Sequence, residues 1–228
     1  MDLINALKRP FTDIKKLIIG VILYTLPIVS FFSSGYLLES LKLSTQCKRE
    51  LPEWTNYVKL FINGLLALAI ETIYFIPVLI LSIISLLTIG TEKLLSFIIQ
   101  DNKLNINFEQ LILALESVWP IILIAILLFL FISYFIPSIL ISFSKNYKFE
   151  ESFKFKEIFK RAFRINYFLA LLIGCIIQSI LFFILSYIPL IGSSIGGFIG
   201  YLIMVTLVGE TCQEGINDKK ENIKRKKR

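Results

Sequence analysis

The chain has 228 residues, of which 56% are hydrophobic and 18% charged, with a mean hydropathy of +0.75 and a formal net charge of +7. Soluble domains run about 45–50% apolar and about 25% charged, so a single water-solvated core is excluded and lipid must be the solvent for much of this surface. Histidine is absent, and Cys47, Cys175 and Cys212 lie too far apart for a zinc, haem or redox motif; the commonest general base and metal ligand are therefore missing, and neither a cofactor nor a metal is expected.

The first apolar run, Leu17 to Leu38, carries no charge and contains Pro27. At about 1.5 Å per residue it is long enough to span, and it is too long for a signal peptide. Two readings stay open: one span over 17–38, or a re-entrant hairpin bent at Pro27. Residues 39–59 are mixed. Pro52 permits a helix start nearby, and Trp54 and Tyr57 suit a membrane–water boundary, so 53–66 reads as an interfacial helix leading into a span at 69–89. Asp101-Asn102-Lys103 makes 91–116 a loop or surface helix. A span at 118–143 follows, then a charged stretch over 145–166. The block from Tyr167 to Val208 is divided by Pro189 and Gly192-Ser193-Ser194 into spans 167–188 and 191–208. Residues 213–228 end in Lys224-Arg225-Lys226-Lys227-Arg228 and read as a disordered basic tail. The expected fold class is all-α, a polytopic helical membrane protein with about five transmembrane helices plus interfacial amphipathic helices. The runs are continuously apolar rather than alternating, which excludes a β-barrel.

Basic residues orient such a chain. With five spans, a cytoplasmic N-terminus would place 6 of the 24 Lys and Arg residues inside and a cytoplasmic C-terminus would place 18; the hairpin reading places 22. A multi-pass protein of the cell membrane with a cytoplasmic C-terminus is expected, and the basic residues record topology rather than a nucleic-acid partner. Tyr74-Phe75-Ile76-Pro77 with Ser82 recurs as Tyr134-Phe135-Ile136-Pro137 with Ser142, and a basic interfacial helix followed by two spans is read at 48–143 and again at 145–208.

Gly35-Tyr36-Leu37-Leu38, Leu51-Pro52-Glu53-Trp54, Leu60-Phe61 and Gly64, then Phe155-Lys156-Glu157-Ile158, Ile188-Pro189-Leu190-Ile191-Gly192 and Gly196 form a series over about residues 10–212. In this series the chain resembles the polytopic membrane proteins grouped as domain of unknown function 4013, found largely in methanogenic archaea and some bacteria. That family's Leu-Pro-Glu-aromatic motif usually continues with acidic residues and an aromatic; Thr55, Asn56 and Tyr57 stand there instead. The resemblance implies a membrane protein and supplies neither an activity nor a catalytic residue.

Gly192, Gly196 and Gly200 repeat every four residues, as close helix packing in lipid requires. They suit a seam against the preceding span or a homo-oligomer face. Glu71 is the acid inside an apolar run, read as lying about one turn inside the bilayer, and Gln178 is an amide near the middle of a span. Over 153–166, Phe155, Phe159 and Phe163 recur every four residues with Ile158 and Ala162. Lys156, Lys160 and Arg164 occupy another face, and Glu157 stands four residues before Arg161. This is the pattern of a helix lying in the headgroup plane, which makes the bilayer, and anionic headgroups in particular, the expected partner. No cluster of acids marks a catalytic centre, so the expected function is a non-catalytic scaffold, assembly or lipid-organising component. A small permease or channel using Glu71 and Gln178 is the alternative, and a membrane enzyme comes third.

Overall fold

The computed structural model describes residues 2–48, 50–89, 99–100, 103–104, 108–189 and 191–226; at 89, 99–100, 103–104, 108–115, 117 and 213–226 it describes the backbone alone. Each apolar block folds as helix. Helix α1 (Leu3–Lys8) and α2 (Ile14–Thr25) flank a 3-10 turn at Arg9–Thr12. Asp2 and Asp13 cap them, their carboxylates accepting from the Asn5 and Lys16 N–H groups at 3.2 Å. Leu26, the residue before Pro27, is held extended (φ −96°, ψ 124°), which ends α2 at Thr25. Helix α3 (Ser30–Thr45) then returns antiparallel to α2, with the Ser33 hydroxyl donating to Gly20 O at 3.0 Å. The run 17–38 is therefore not one span; it is most of a helical hairpin.

Helix α4 (Tyr57–Ile89) is continuous. The expected interfacial helix at 53–66 is absent, because Leu51–Asn56 is loop and the helix passes through 66–69 without a break. The repeated pattern of an interfacial helix before two spans consequently does not hold for the first half. Two-residue strands Ile99–Gln100 and Lys103–Leu104 pair antiparallel within the expected loop, while 91–98 lie outside the described residues. Helix α5 is Phe108–Asn146, followed by a 3-10 turn at Phe149–Phe153 and a short α6 (Phe155–Ala162). The helix expected over 153–166 stops early because Arg164 turns extended (ψ 137°), and α7 (Ile165–Leu185) starts beyond it. Helix α8 (Gly192–Lys226) runs on through the segment expected to be disordered. Elongating an existing helix avoids the cost of nucleation, and Lys, Glu and Gln are good helix formers.

Among the described residues, four helical stretches are long and apolar enough to cross a membrane: Tyr57–Thr88, Val118–Asn146, Ile165–Leu185 and Gly192–Cys212. The fifth expected span is the α2–α3 hairpin. In the apolar 18-residue window of α8, 78% of the residues are buried, against 11% in the corresponding window of each of the others, so α8 is the helix that the protein itself surrounds.

The chain divides into two compact units. The first, Met1–Ile70 with Phe135–Arg228, has a core of Tyr36, Leu37, Leu51, Trp54, Leu60, Phe198 and Leu202, with Leu17, Val21 and Tyr24 of α2 packed against it. In it the Asp2 N–H donates to Glu210 Oε2 at 2.9 Å, which ties the start of the chain to α8. The second, Glu71–Tyr134, pairs the far parts of α4 and α5, with Phe75 and Phe129 rings 5.3 Å apart. Its Leu79, Ile83, Leu87, Leu123, Leu127 and Leu130 are exposed, an apolar surface of the kind that lipid covers.

Candidate functional site

The charged end of the first unit is built on two buried arginines. Arg9, in the 3-10 turn, is 3% exposed. Its Nη1 donates to Thr206 Oγ1 at 2.9 Å and to Ser44 Oγ, and its Nη2 donates to Ser40 O at 3.2 Å and Glu50 O at 3.1 Å. All four acceptors are neutral oxygens, and burial lowers the guanidinium pKa to about 10, which still leaves it charged at neutral pH. Arg161 of α6, 8% exposed, repeats the arrangement: Nη1 donates to Ser138 O at 2.7 Å, Ser138 Oγ at 3.2 Å and Ser142 Oγ at 3.1 Å on α5. Each arginine thus grips a serine pair four residues apart on a helix, taking the carbonyl of the first and the hydroxyl of the second. Both pairs follow a tyrosine at the same spacing, Tyr36-x3-Ser40-x3-Ser44 and Tyr134-x3-Ser138-x3-Ser142. Sequence reasoning missed both sites: Arg9 was not singled out, and Arg161 was read only as standing four residues after Glu157. Glu157 pairs with Lys145 instead, at 3.7 Å. The legible signal was the serine spacing, which puts two hydroxyls on one face of an apolar helix.

The segment Leu51-Pro52-Glu53-Trp54 straps this end. Trp54 stacks flat on Tyr36, centroids 4.1 Å apart and planes 7° from parallel, and its Nε1–H donates to Lys16 O at 3.0 Å. Lys16 in turn meets Glu53 at 2.6 Å and donates to Leu51 O at 3.3 Å; the hydrogen bond to Glu53 holds the Lys16 ammonium above its usual pKa. Left-handed residues bound the strap, Cys47 (φ 55°) and Asn56 (φ 57°). Trp54, expected at the membrane interface, is therefore buried within the protein: its indole stacks on Tyr36 in the core and its one donor is satisfied by backbone. Tyr147 lies beneath two lysines, Lys42 at 4.6 Å and Lys59 at 5.2 Å from the ring centroid, and burial pushes its hydroxyl pKa up.

Small residues hold the helices close. A Cβ at Gly35 would collide with the carbonyl oxygen of Leu60, and one at Gly64 with that of Phe31, so α3 and α4 touch backbone to backbone. Gly192, Gly196 and Gly200 all face α7 of the same chain. Cβ atoms at Gly196 and Gly200 would lie 2.7 Å from Leu181 O and 2.8 Å from Gln178 Cγ. Gln178 therefore flanks the α7–α8 seam.

On α6 the apolar residues divide between two faces. Ile158 and Ala162 are buried with Arg161, whereas Phe155 and Phe163 are exposed, Phe163 at 72%. Phe159 is borderline exposed and packs on Phe135, centroids 4.8 Å apart. Lys156 and Lys160 are exposed and Arg164 is half-buried. Glu71, half-buried on α4, lies twelve residues beyond Lys59, about 18 Å along the helix. The placement one turn inside the bilayer rested on a helix break that α4 does not contain. Among the described residues no three Cys, Asp or Glu side chains come together as metal ligands.

Comparison with protein families matches residues 18–190 to the family described as Protein of unknown function (DUF4013). No curated protein and no solved structure matches the chain. The match takes in the Gly35–Leu38 helix, the Leu51–Trp54 strap, the Gly64 crossing and Arg161 with its serine pair, and the chain belongs to the DUF4013 family.

Proposed function

We propose that the protein is a non-catalytic, multi-pass component of the cell membrane that organises anionic lipid at its cytoplasmic face through α6. The observation that carries this is the division of α6: its Arg161 face is pinned to α5 by three hydrogen bonds, while Phe155, Phe163, Lys156 and Lys160 are exposed, as are the apolar side chains Ile165, Phe168 and Leu172 of α7. Phenylalanine on a helix flank next to a lipid-facing span seats the flank at acyl-chain level, and each adjoining cation contributes about 1 kcal/mol near an anionic surface.

Spin-labelled phosphatidylglycerol should be immobilised by the reconstituted protein more than spin-labelled phosphatidylcholine. Lys156, Lys160 and Arg164 changed to Gln should remove that difference, as should high salt. Phe155, Phe159 and Phe163 changed to Ser should reduce the immobilised fraction of both lipids. Equal immobilisation of the two lipids by the native protein refutes the reading.

Sidedness follows from charge. The segments at the charged end and the tail that continues from it hold all the basic residues except Lys93 and Lys103, so the positive-inside rule makes this end cytoplasmic, N-terminus included. Reporters active only outside the membrane should be silent when fused before Met1 or after Arg228, and active when inserted between residues 93 and 96. Activity at either terminus overturns the assignment.

Transport remains the second reading, favoured by the position of Glu71 well along α4. A Glu71→Gln variant that folds but abolishes a proton or cation flux measured in vesicles would replace the lipid-organising proposal.

A further inference from the structure

The α2–α3 hairpin is too short to cross. Lys16 at its entry is paired with Glu53 and Glu39 at its exit with Lys59, at 2.6 and 3.0 Å. Both ion pairs keep partly exposed polar atoms, and they fix the polar level of the hairpin. Between them lie the 22 uncharged residues 17–38. Folded back on themselves, these give arms of about eleven residues, reaching roughly 17 Å into a core about 30 Å thick.

The tip has the composition that such a depth demands. It reads Leu26-Pro27-Ile28-Val29, with Leu26 and Ile28 exposed, Ile28 at 75%. The turn between α7 and α8 differs: it carries Ser186 and an exposed Tyr187, and Ser193 and Ser194 follow it, as suits a turn that reaches the far headgroups. The hairpin turn also satisfies its own polar groups, Ser30 Oγ donating to Pro27 O at 2.6 Å and the Ser30 N–H to Leu26 O at 2.7 Å, which lipid requires of irregular backbone.

We infer that α2–α3 is a re-entrant hairpin that loads one leaflet, and that the protein thereby prefers, and at high density produces, membrane curved convexly toward its charged end. The four crossing stretches displace lipid from both leaflets alike. The hairpin adds two helices to the leaflet at the charged end only, and α6, lying at the surface, adds to the same leaflet. Unequal filling of the two leaflets is relieved by bending, the physical basis on which inserted amphipathic helices respond to curvature. The inference rests on the membrane residence and common-side termini proposed above, and not on anionic lipid.

The test uses full-length protein carrying a fluorescent tag after Arg228, in giant vesicles of phosphatidylcholine alone, where loss of anionic-lipid binding cannot alter the result. Orientation is sorted by access of an impermeant quencher to the tag. On tubules pulled from these vesicles, molecules with the tag outside should be enriched several-fold over the parent membrane, and molecules with the tag inside depleted. The variant with Phe155, Phe159 and Phe163 changed to Ser should keep most of this contrast. Equal density in both orientations overturns the inference, and loss of all contrast in the Phe variant removes the hairpin as its cause. Independently, an Ile28→Cys variant in a background with Cys47, Cys175 and Cys212 changed to Ser should resist impermeant maleimides from both sides. Labelling from the side opposite the tag would show that the hairpin crosses, which also refutes it.

Discussion

Replacing Gly35 by alanine is expected to destabilise the protein by about 2–3 kcal/mol, although alanine is the better helix former by about 1 kcal/mol. The added methyl group would meet the carbonyl oxygen, carbonyl carbon and Cα of Leu60. These are backbone atoms of a packed helix and have no rotamer in which to retreat, so α3 and α4 must separate. Gly64→Ala should cost a similar amount, because Gly64 meets Phe31 O and the backbone nitrogen of Gly35 from the other side of the same crossing. The rings around this crossing, Phe31, Phe32 and Phe61, with centroids 5.1–5.7 Å apart, would lose contact as well. Gly197→Ala is the internal control. Its Cβ would lie 3.1 Å from the edge of the Tyr24 ring, which can tilt, so its effect should stay within about 0.5 kcal/mol of zero. Unfolding by denaturing detergent, followed by circular dichroism, measures all three. A stabilising Gly35→Ala would mean that helix propensity wins and that the close crossing is wrong.

The Gly35–Gly64 contact also marks how far the fold is legible in the sequence. Apolar runs located nearly every helix, because burial in lipid demands continuous hydrophobicity and self-satisfied backbone, and both are local properties. The Gly35–Gly64 crossing, by contrast, joins helices separated by the strap, and neither glycine lies in a periodic small-residue stripe. Trp54 was read as interfacial for the same reason. Its indole has the composition of an interface residue, and only the three-dimensional approach of Tyr36 turns it into a core residue. The hairpin was half legible: Pro27 signals a break, but whether the chain passes on or turns back depends on the Arg9 and Lys16 contacts at its base. In α6 the four-residue spacing joins Phe155, Phe159 and Phe163, all of them exposed, although Phe159 also packs on Phe135. Assigning Ile158 and Ala162 to their face was wrong, because the helix has a second neighbour, α5, that periodicity cannot reveal.

The arginine grip explains how a strongly basic chain keeps one end compact. A buried cation held by neutral oxygens is stable only while enough acceptors remain, since its desolvation must be offset by hydrogen bonds. Arg9 ties together four pieces of chain: its own turn, Ser40 and Ser44 of α3, Glu50 at the root of the strap, and Thr206 of α8. Arg161 fixes α6 to α5 in the same way, and so sets which face of α6 is left exposed.

Removing the acceptors should therefore be worse than removing the charge. The double variant Ser44→Ala, Thr206→Val takes both hydroxyls from Nη1 and leaves a buried guanidinium half-satisfied, an expected cost of about 3–5 kcal/mol. Arg9→Met removes the cation itself. Ser44 Oγ and Thr206 Oγ1 then keep their own helical acceptors, Ser40 O at 2.8 Å and Leu202 O at 2.6 Å, so neither hydroxyl is orphaned. The Met side chain fills much of the vacated volume, and the loss should be only about 1–3 kcal/mol. Combining all three changes should cost little more than Arg9→Met alone, a coupling opposite in sign to the loss in the double variant. Arg9→Lys should behave worse than Arg9→Met, since one ammonium cannot reach acceptors on four sides and stays charged. The same detergent-unfolding series decides it. Strictly additive costs, or a double variant milder than Arg9→Met, would mean that the guanidinium escapes to water and that the grip contributes nothing to holding this end together.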